Sequence, residues 1–177
     1  MENKVLFDGV NDGETFEVAG MTFIKFPSAD RKTPVVMQDI AFRSRYGEDN
    51  DLRHSPIMDR LQSEILPKIE EAIGKENVCT FETDLTSLDG LTPYGKMESR
   101  ISIPTLDFYR KNVSIFDKRA PASWWWLATP ESAEPHYAPT FSLCVAPSGF
   151  ISDGSCYVGG GVRPFLIFKS CIFGSEA

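Results

Sequence analysis

Trp124-Trp125-Trp126-Leu127-Ala128-Thr129-Pro130 is the stretch on which the fold turns. In an extended chain successive side chains point to opposite faces. Trp124 and Trp126 would therefore share one face and Trp125 would take the other. A strand that is aromatic on both sides belongs in the middle of a sheet, packed from above and below. On that reading Trp124 and Trp126 are core residues and Trp125 is at least partly buried opposite them. The alternative leaves one indole exposed as a platform for a ligand. Any indole N–H that is buried needs an acceptor.

Upstream, residues 14 to 41 have the alternation of a strand meander. Glu14-Thr15-Phe16-Glu17-Val18 alternates, Ala19-Gly20 turns, and Met21 to Phe26 returns. After a polar loop, Thr33-Pro34-Val35-Val36-Met37 forms a third strand. Residues 43 to 54 are charged and without periodicity, which predicts a loop. Ser55-Pro56 is a helix start, a hydroxyl cap followed by proline at the first helical position. Ile57, Leu61, Ile65, Ile69 and Ile73 make one apolar stripe. Pro67 lies within it and predicts a kink or break; Gly74 predicts the stop. Val78 to Asp84 alternates as another strand, and Pro104 to Arg110 opens a short second helix. Beyond Pro121 the chain reads as short strands and turns through Phe173. No repeat or long linker divides it, so residues 1–177 read as a single α+β domain with two helices and a β-rich C-terminal third.

Composition narrows the function. A chain of 177 residues with 42% hydrophobic content, 13 Phe, 5 Tyr and 3 Trp can bury a sizeable core. Its 25 acidic against 18 basic residues leave a net charge of −7. That balance opposes a sequence-independent grip on nucleic acid, so no direct nucleic-acid binding is expected. No run approaches the ~20 apolar residues that span a bilayer, and no membrane insertion is expected. The start of the chain has no long apolar run or small-residue cleavage site, which predicts no signal peptide. Cys79, Cys144, Cys156 and Cys171 match no zinc or thioredoxin-type spacing, and reduced thiols are the default.

Motifs that could carry chemistry fall short of it. His54 lies in a charged loop and reads as solvated. His136, between Pro135 and Tyr137, could contact a ligand. There is no Gly-x-Ser-x-Gly elbow, and no base-and-orienter pair is identifiable. Asp8-Gly9-Val10-Asn11-Asp12-Gly13 starts like a calcium loop, but Val10 and Ala19 stand where ligands are required. Glu82 and Asp84 share a strand face and read as solvent-facing. Gly159-Gly160-Gly161 lacks the Lys-Ser/Thr and helix of a phosphate loop; it reads as a tight turn before the chain re-enters the sheet. The expectation is a chain that is not an enzyme and has no metal or cofactor.

Trp124 to Pro130, Val145-Ala146-Pro147-Ser148-Gly149 and Gly161-Val162-Arg163-Pro164-Phe165 together resemble a WWL-x-S/T-P … G-x-I … G-V-R-P signature. It marks a domain family frequent in phages and mobile elements of gut bacteria. The helix Ile57 to Ile73 and the segment Phe81 to Gly90 resemble it too, so the likeness covers most of the chain. That family is similar to C-type-lectin-fold domains related to formylglycine-generating enzymes, some of which are the variable proteins of diversity-generating retroelements. The resemblance implies a C-type-lectin-like fold with twisted antiparallel sheets, and a place in the host cytoplasm or on a phage particle. It does not carry over the enzymes' copper-binding cysteine pair, which Cys156 and Cys171 do not match. Nor does it carry over the calcium motif of sugar-binding lectins, of which Glu134-Pro135-His136 is a partial echo.

Residues 135–168 contain no Lys, Glu, Gln, Met or Trp, whereas residues 1–134 contain 30 of them. At the same rate about 7 or 8 would fall in the window. Adenine mutagenesis of Asn codons, the retroelement mechanism, cannot reach those five residues. Turn-rich strands also disfavour Lys, Glu and Gln, so ordinary β-loop composition stands beside the diversified reading. The expected function is a ligand-binding domain whose partner is a protein or cell-surface ligand. The expected contact residues are Tyr137, Phe141, Ser152, Asp153, Ser155, Tyr157 and Val158, with Asp153 the only charge; in the lectin-like fold that the resemblance implies, they would be neighbours at one end of the sheet. Rings give area at low entropy cost, and the small polar residues give hydrogen bonds. Arg163, beside Pro164, reads as a scaffold anchor. The alternative function is an acidic phage-encoded inhibitor that fills the basic nucleic-acid channel of a host defence protein.

Overall fold

The computed structural model describes residues 7–172. The first six residues, part of the segment inspected for a leader, and Phe173 lie outside the described residues. The chain lays down β1 (Thr15–Val18), β2 (Met21–Lys25), β3 (Lys32–Met37) and β4 (Phe42–Ser44). A helical run follows, made of α1 (Pro56–Arg60), a π-helical turn (Leu61–Ile65) and α2 (Leu66–Ile73). Then come the hairpin β5 (Phe81–Asp84) and β6 (Lys96–Ser99), and helices α3 (Leu106–Lys111) and α4 (Val113–Asp117). The last part holds β7 (Trp125–Pro130), β8 (Phe141–Val145), β9 (Ile151–Ser155), β10 (Gly160–Val162) and β11 (Phe165–Lys169). This is an α+β fold. Among the described residues no helix is long and apolar enough to cross a membrane.

Two sheets carry the architecture. The first has the order β1-β2-β3-β11 and is antiparallel throughout, with Leu166 opposite Val35. The second has the order β4-β10-β7-β8-β9. It is antiparallel except for β10 and β7, which run parallel with Gly161 opposite Trp125. The two sheets are joined through the short step Arg163-Pro164 between β10 and β11.

β7 is buried along its whole length. Trp125, Leu127, Leu143 and Val145 pack on one face with Ile24, Phe26 and the α3–α4 residues Leu106, Tyr109 and Phe116. Trp126, Ala128 and Cys144 pack on the other with Phe23, Val35, Phe168 and the helix stripe Ile57, Leu61, Ile65 and Ile69. The triple tryptophan thus marks a central strand packed on both faces, as its two-sided pattern predicts. Trp126 donates its indole N–H to the Ser44 carbonyl at 3.0 Å. Trp124 departs from the expectation. It precedes the strand and is half-buried at the surface, its ring 4.9 Å edge-on to Trp126.

The helix start is the one read from sequence. Ser55 Oγ accepts from the Ile57 N–H and Pro56 takes the first turn. The apolar spacing of four overshoots a 3.6-residue turn by about 40° per step. The π turn corrects the drift: Leu66 N–H reaches back five residues to the Leu61 carbonyl. It also relieves the crowding that Pro67 would impose on the carbonyl of Ser63. The expected kink is therefore realised as a widened turn just before the proline, and the stripe stays on one face.

The glycine run is a correction. Gly160 and Gly161 are not a turn; they are strand residues in β10, paired with β4 and β7. A Cβ on Gly160 would overlap ring atoms of Trp124 and Trp126. On Gly161 it would come within 2.8 Å of the Trp124 carbonyl and 2.6 Å of Ile40. Gly160 lets the backbone lie against two indoles, and Gly161 lets it lie against the Trp124 backbone and Ile40. Arg163 follows and is fully buried. Its guanidinium lies 4.7 Å from the Trp125 ring centroid and 5.4 Å from that of Phe116, and Nε donates to the Met37 carbonyl at 3.0 Å. Burial pulls its pKa down to about 10, so it remains a cation at neutral pH. It is the scaffold anchor expected.

Three smaller differences have local causes. Arg43 and Ser44 are not loop but the end of β4, because β10 offers them a ladder to pair with. Residues 78–80 do not extend β5; Val78 instead bridges Phe168. α4 continues the apolar spacing of Leu106 and Tyr109 to Phe116 after an interruption at Asn112.

Substitution of Gly160 by Ala should lower stability by about 1–3 kcal/mol or more through overpacking. Gly159→Ala, whose new methyl meets open space, should stay within about 0.5 kcal/mol. Denaturant midpoints for the two variants check this, and equal midpoints would refute the close approach.

Candidate binding surface

β9 is an edge strand, and its register decides what the C-terminal hairpin presents. Cys156 N–H donates to Thr140 O and Ala146 N–H to Phe150 O, both at 2.8 Å. Bonded and non-bonded pairs alternate along an antiparallel ladder. Within β8–β9 the bonded pairs are therefore Ser142 with Gly154 and Cys144 with Ser152. Ile151, Asp153 and Ser155 turn their backbone N–H and C=O groups outward. The Ser155 carbonyl accepts from Val158 N–H, while the others meet no strand among the described residues.

The same alternation distributes the seven expected contact residues over three places. Ser152, opposite Cys144, is on the Trp126 face. Phe141, Asp153 and Ser155 are on the Trp125 face, with Phe141 directly opposite Ser155. Tyr137, Tyr157 and Val158 sit in the loops at one end, where Cys156 joins Thr140. These last three are exposed at 59%, 55% and 46%, and Phe150 at the opposite end of β9 is exposed at 68%. The seven lie in the hairpin and its adjoining loops but are not one patch, because a period of two splits any strand between faces.

Two apolar grooves flank the edge. One, of about 290 Å³, is lined by Trp124, Cys144, Ala146, Pro147, Ser152, Asp153 and Gly154. Gly154 puts no side chain over Trp124, which leaves the indole as a wall of the groove. Arg43 lies 5.6 Å from the Trp124 ring centroid and donates to Ser123 Oγ and the Gly159 carbonyl. The other groove, of about 450 Å³, is lined by Tyr109, Arg110, Val113, Gly149, Phe150 and Ile151. Neither Trp124 nor Phe150 was among the residues read from sequence as contacts. The signal for Trp124 was present in its position at the start of the aromatic run, where a strand has not yet been covered.

A polar hub holds the loops. Asn50 is buried, its amide donating to the carbonyls of Ser132 and Phe141 at 2.8 Å each and its Oδ1 accepting from Tyr94 at 2.7 Å. Its backbone N–H donates to Pro139, and Tyr46 and Gly47 donate to Cys156. Four segments distant in sequence are tied by one side chain. Sequence reading missed Asn50, because a turn asparagine looks the same whether buried or solvated.

Asp89 gathers a second cluster. Ser87 Oγ and Ser132 Oγ donate to it at 2.5 and 2.6 Å, and His136 Nδ1 lies 3.1 Å from Oδ2. His136 thus does have a carboxylate partner, which no local motif revealed, since 47 residues separate them. The geometry is not that of an activated nucleophile. Serines and imidazole converge on the carboxylate instead of forming a series in which the imidazole takes a hydroxyl proton. The buried thiols are not activated either: burial raises Cys144 to about 11 and Cys156 to about 12, so both are protonated at neutral pH. Glu82 and Asp84 face solvent as expected, Asp84 accepting from Thr86. Among the described residues no group of three or more His, Cys, Asp or Glu is placed to hold a metal ion.

No family model, curated protein or solved structure matches the chain.

The hydroxyl and imidazole donors lower the Asp89 pKa from 3.8 to about 2. A carboxylate depressed in the folded state contributes stability above its unfolded pKa and loses it as pH falls through the folded value. Stability should therefore decline between about pH 4 and pH 2, and Asp89→Asn should flatten that decline. Urea midpoints measured across this range check it; an unchanged slope in the variant would refute the role of the cluster.

Proposed function

We propose that the chain is a non-enzymatic ligand-binding domain of phage or mobile-element origin with a C-type-lectin-like fold. Its partner is a protein or cell-surface ligand, and its binding surface is the β8–β9 hairpin with the adjoining loops. One observation carries this reading. Of the six large apolar side chains exposed among the described residues, Tyr137, Phe150, Tyr157 and Val158 belong to this region. Exposed aromatic side chains that cluster outside a well-filled core are what an interaction site presents.

The fold-level part of the proposal draws support from the pairing of β3 with β11, which joins early and late strands in one sheet. A second sheet then carries the long loops. The hub at Asn50 fits a scaffold that fixes loop ends while leaving loop tips free to vary. Retroelement diversification, as part of the proposal, is confined to the exposed positions. Leu143, Val145, Val162 and Leu166 fall in the same compositional window but are buried, and burial alone excludes Lys, Glu and Gln there.

A combined Tyr137→Ala, Asp153→Ala and Tyr157→Ala variant should melt like the parent, since each site is exposed. It should lose capture of the physiological partner. Capture that survives these changes would overturn the surface assignment. Capture that instead collapses with rising salt, independent of the three side chains, would favour the acidic inhibitor of a basic channel.

A further inference from the structure

The open edge of β9 and the grooves on its two sides form one feature. Ile151 and Asp153 direct N–H and C=O groups, unpaired among the described residues, away from β8, and Ser155 adds an N–H. A strand laid against this edge would complete the ladder. Its side chains would alternate between the faces, and each face has a groove to receive them. Residues opposite Ser152 and Gly154 would drop toward Trp124 and Cys144. The residue opposite Ile151 would drop toward Tyr109, Val113 and Phe150.

Charge selects among possible occupants. Asp153 is exposed at the middle of the edge, and Glu131, whose N–H donates to the Phe141 carbonyl, is close enough for the two carboxylates to repel. Arg110, which borders the Phe150 groove, is already paired with Asp107. Arg43, against the Trp124 ring, spends its guanidinium on Ser123 and the Gly159 carbonyl, so the charge at the middle of the edge is negative. A second copy of β9 paired about Asp153 would set two carboxylates face to face, which is destabilising. A strand with a cation at that position meets the opposite sign.

We propose that β9 binds its partner by strand addition. The occupant is an extended segment of a partner protein with a Lys or Arg opposite Asp153. In antiparallel register the residue after that cation enters the Trp124 groove, and the next one enters the Phe150 groove. This rests on the reading of the chain as a ligand-binding domain and specifies how the ligand is held. Main-chain bonds supply affinity that does not depend on partner sequence, and the two grooves and Asp153 supply the selection.

The test uses the full chain and a synthetic peptide, a central Lys followed by Val and Phe and flanked by Thr and Val, with a second peptide carrying Glu for Lys. Binding is read by fluorescence anisotropy, and amide protection by NMR hydrogen exchange. The Lys peptide should bind, and the Glu peptide more weakly by about threefold or more. The Ile151, Asp153 and Ser155 amides should gain protection in the complex. Asp153→Pro removes an outward N–H while leaving the β8 ladder intact; it should melt like the parent and weaken the peptide roughly tenfold or more. Asp153→Lys, which should also fold, should reverse the preference between peptides. Equal binding by Asp153→Pro, protection of other amides only, no binding of either peptide, or a dimer formed through β9 would each overturn strand addition. Physiological capture that is lost on Tyr137→Ala with Tyr157→Ala but kept in Asp153→Pro would overturn it while leaving the ligand-binding reading intact.

Discussion

Two adjacent indoles buried on opposite faces of one strand set the terms for everything around them. Trp125 and Trp126 are each almost fully buried. A side chain of this size removes about 150–250 Å² from water, worth roughly 4–6 kcal/mol of apolar burial before opposing costs. Two of them rival the ~5–15 kcal/mol net stability of a whole domain. To bury both, β7 must lie inside its sheet and each face must be covered. The stripe of α1–α2 covers Trp126, and α3–α4 cover Trp125. The bulk of the rings then dictates what lies beside them. Gly160 must lack a side chain where it meets the Trp124 and Trp126 rings, and Trp126 must find the Ser44 carbonyl. The Arg163 cation settles against Trp125 and Phe116, where the ring faces partly replace lost water.

Placing β7 in the interior also decides which strand is left at the margin of the sheet. With β10 on one side and β8 on the other, β9 becomes the outermost strand. Ser142 stays buried beneath the hairpin, and Asp153 emerges at the edge. The loop that follows β7 is pinned at its base by Asn50, and the loop that follows β9 by the Tyr46 and Gly47 N–H groups on the Cys156 carbonyl, so Tyr137 and Tyr157 project from a fixed frame. A stiff centre and an open margin are consequences of the same packing.

Much of this was legible in the sequence where the pattern is local. The β1–β3 meander, the Ser55 cap and the apolar helix stripe all appear as read, because alternation, capping and periodicity are properties of neighbours in the chain. The glycines of β10 were misread because what makes them necessary is a contact with Trp124 and Trp126, some 35 residues away. Trp124 itself was assigned to the core on strand alternation, yet the strand begins one residue later. Alternation says which residues share a face, not where the cover ends. The seven expected contact residues were treated as one face. The β8–β9 register shows that Ser152 and Asp153 look opposite ways. His136 and Asp89 could not be paired from sequence at all, since only the fold brings the loops that carry them together.

The central claim is a two-sided strand held at the heart of a sheet whose last strand is left open. Native-state hydrogen exchange on the free chain measures both halves at once. The amides of β7 should exchange only through global unfolding, with protection equal to the full stability from denaturant melts. The outward amides of Ile151 and Asp153 should exchange orders of magnitude faster than those of Ser152 and Gly154, which bond to β8. Protection at Ile151 and Asp153 matching that of Ser152 and Gly154, or exchange of β7 through local opening, would contradict the account.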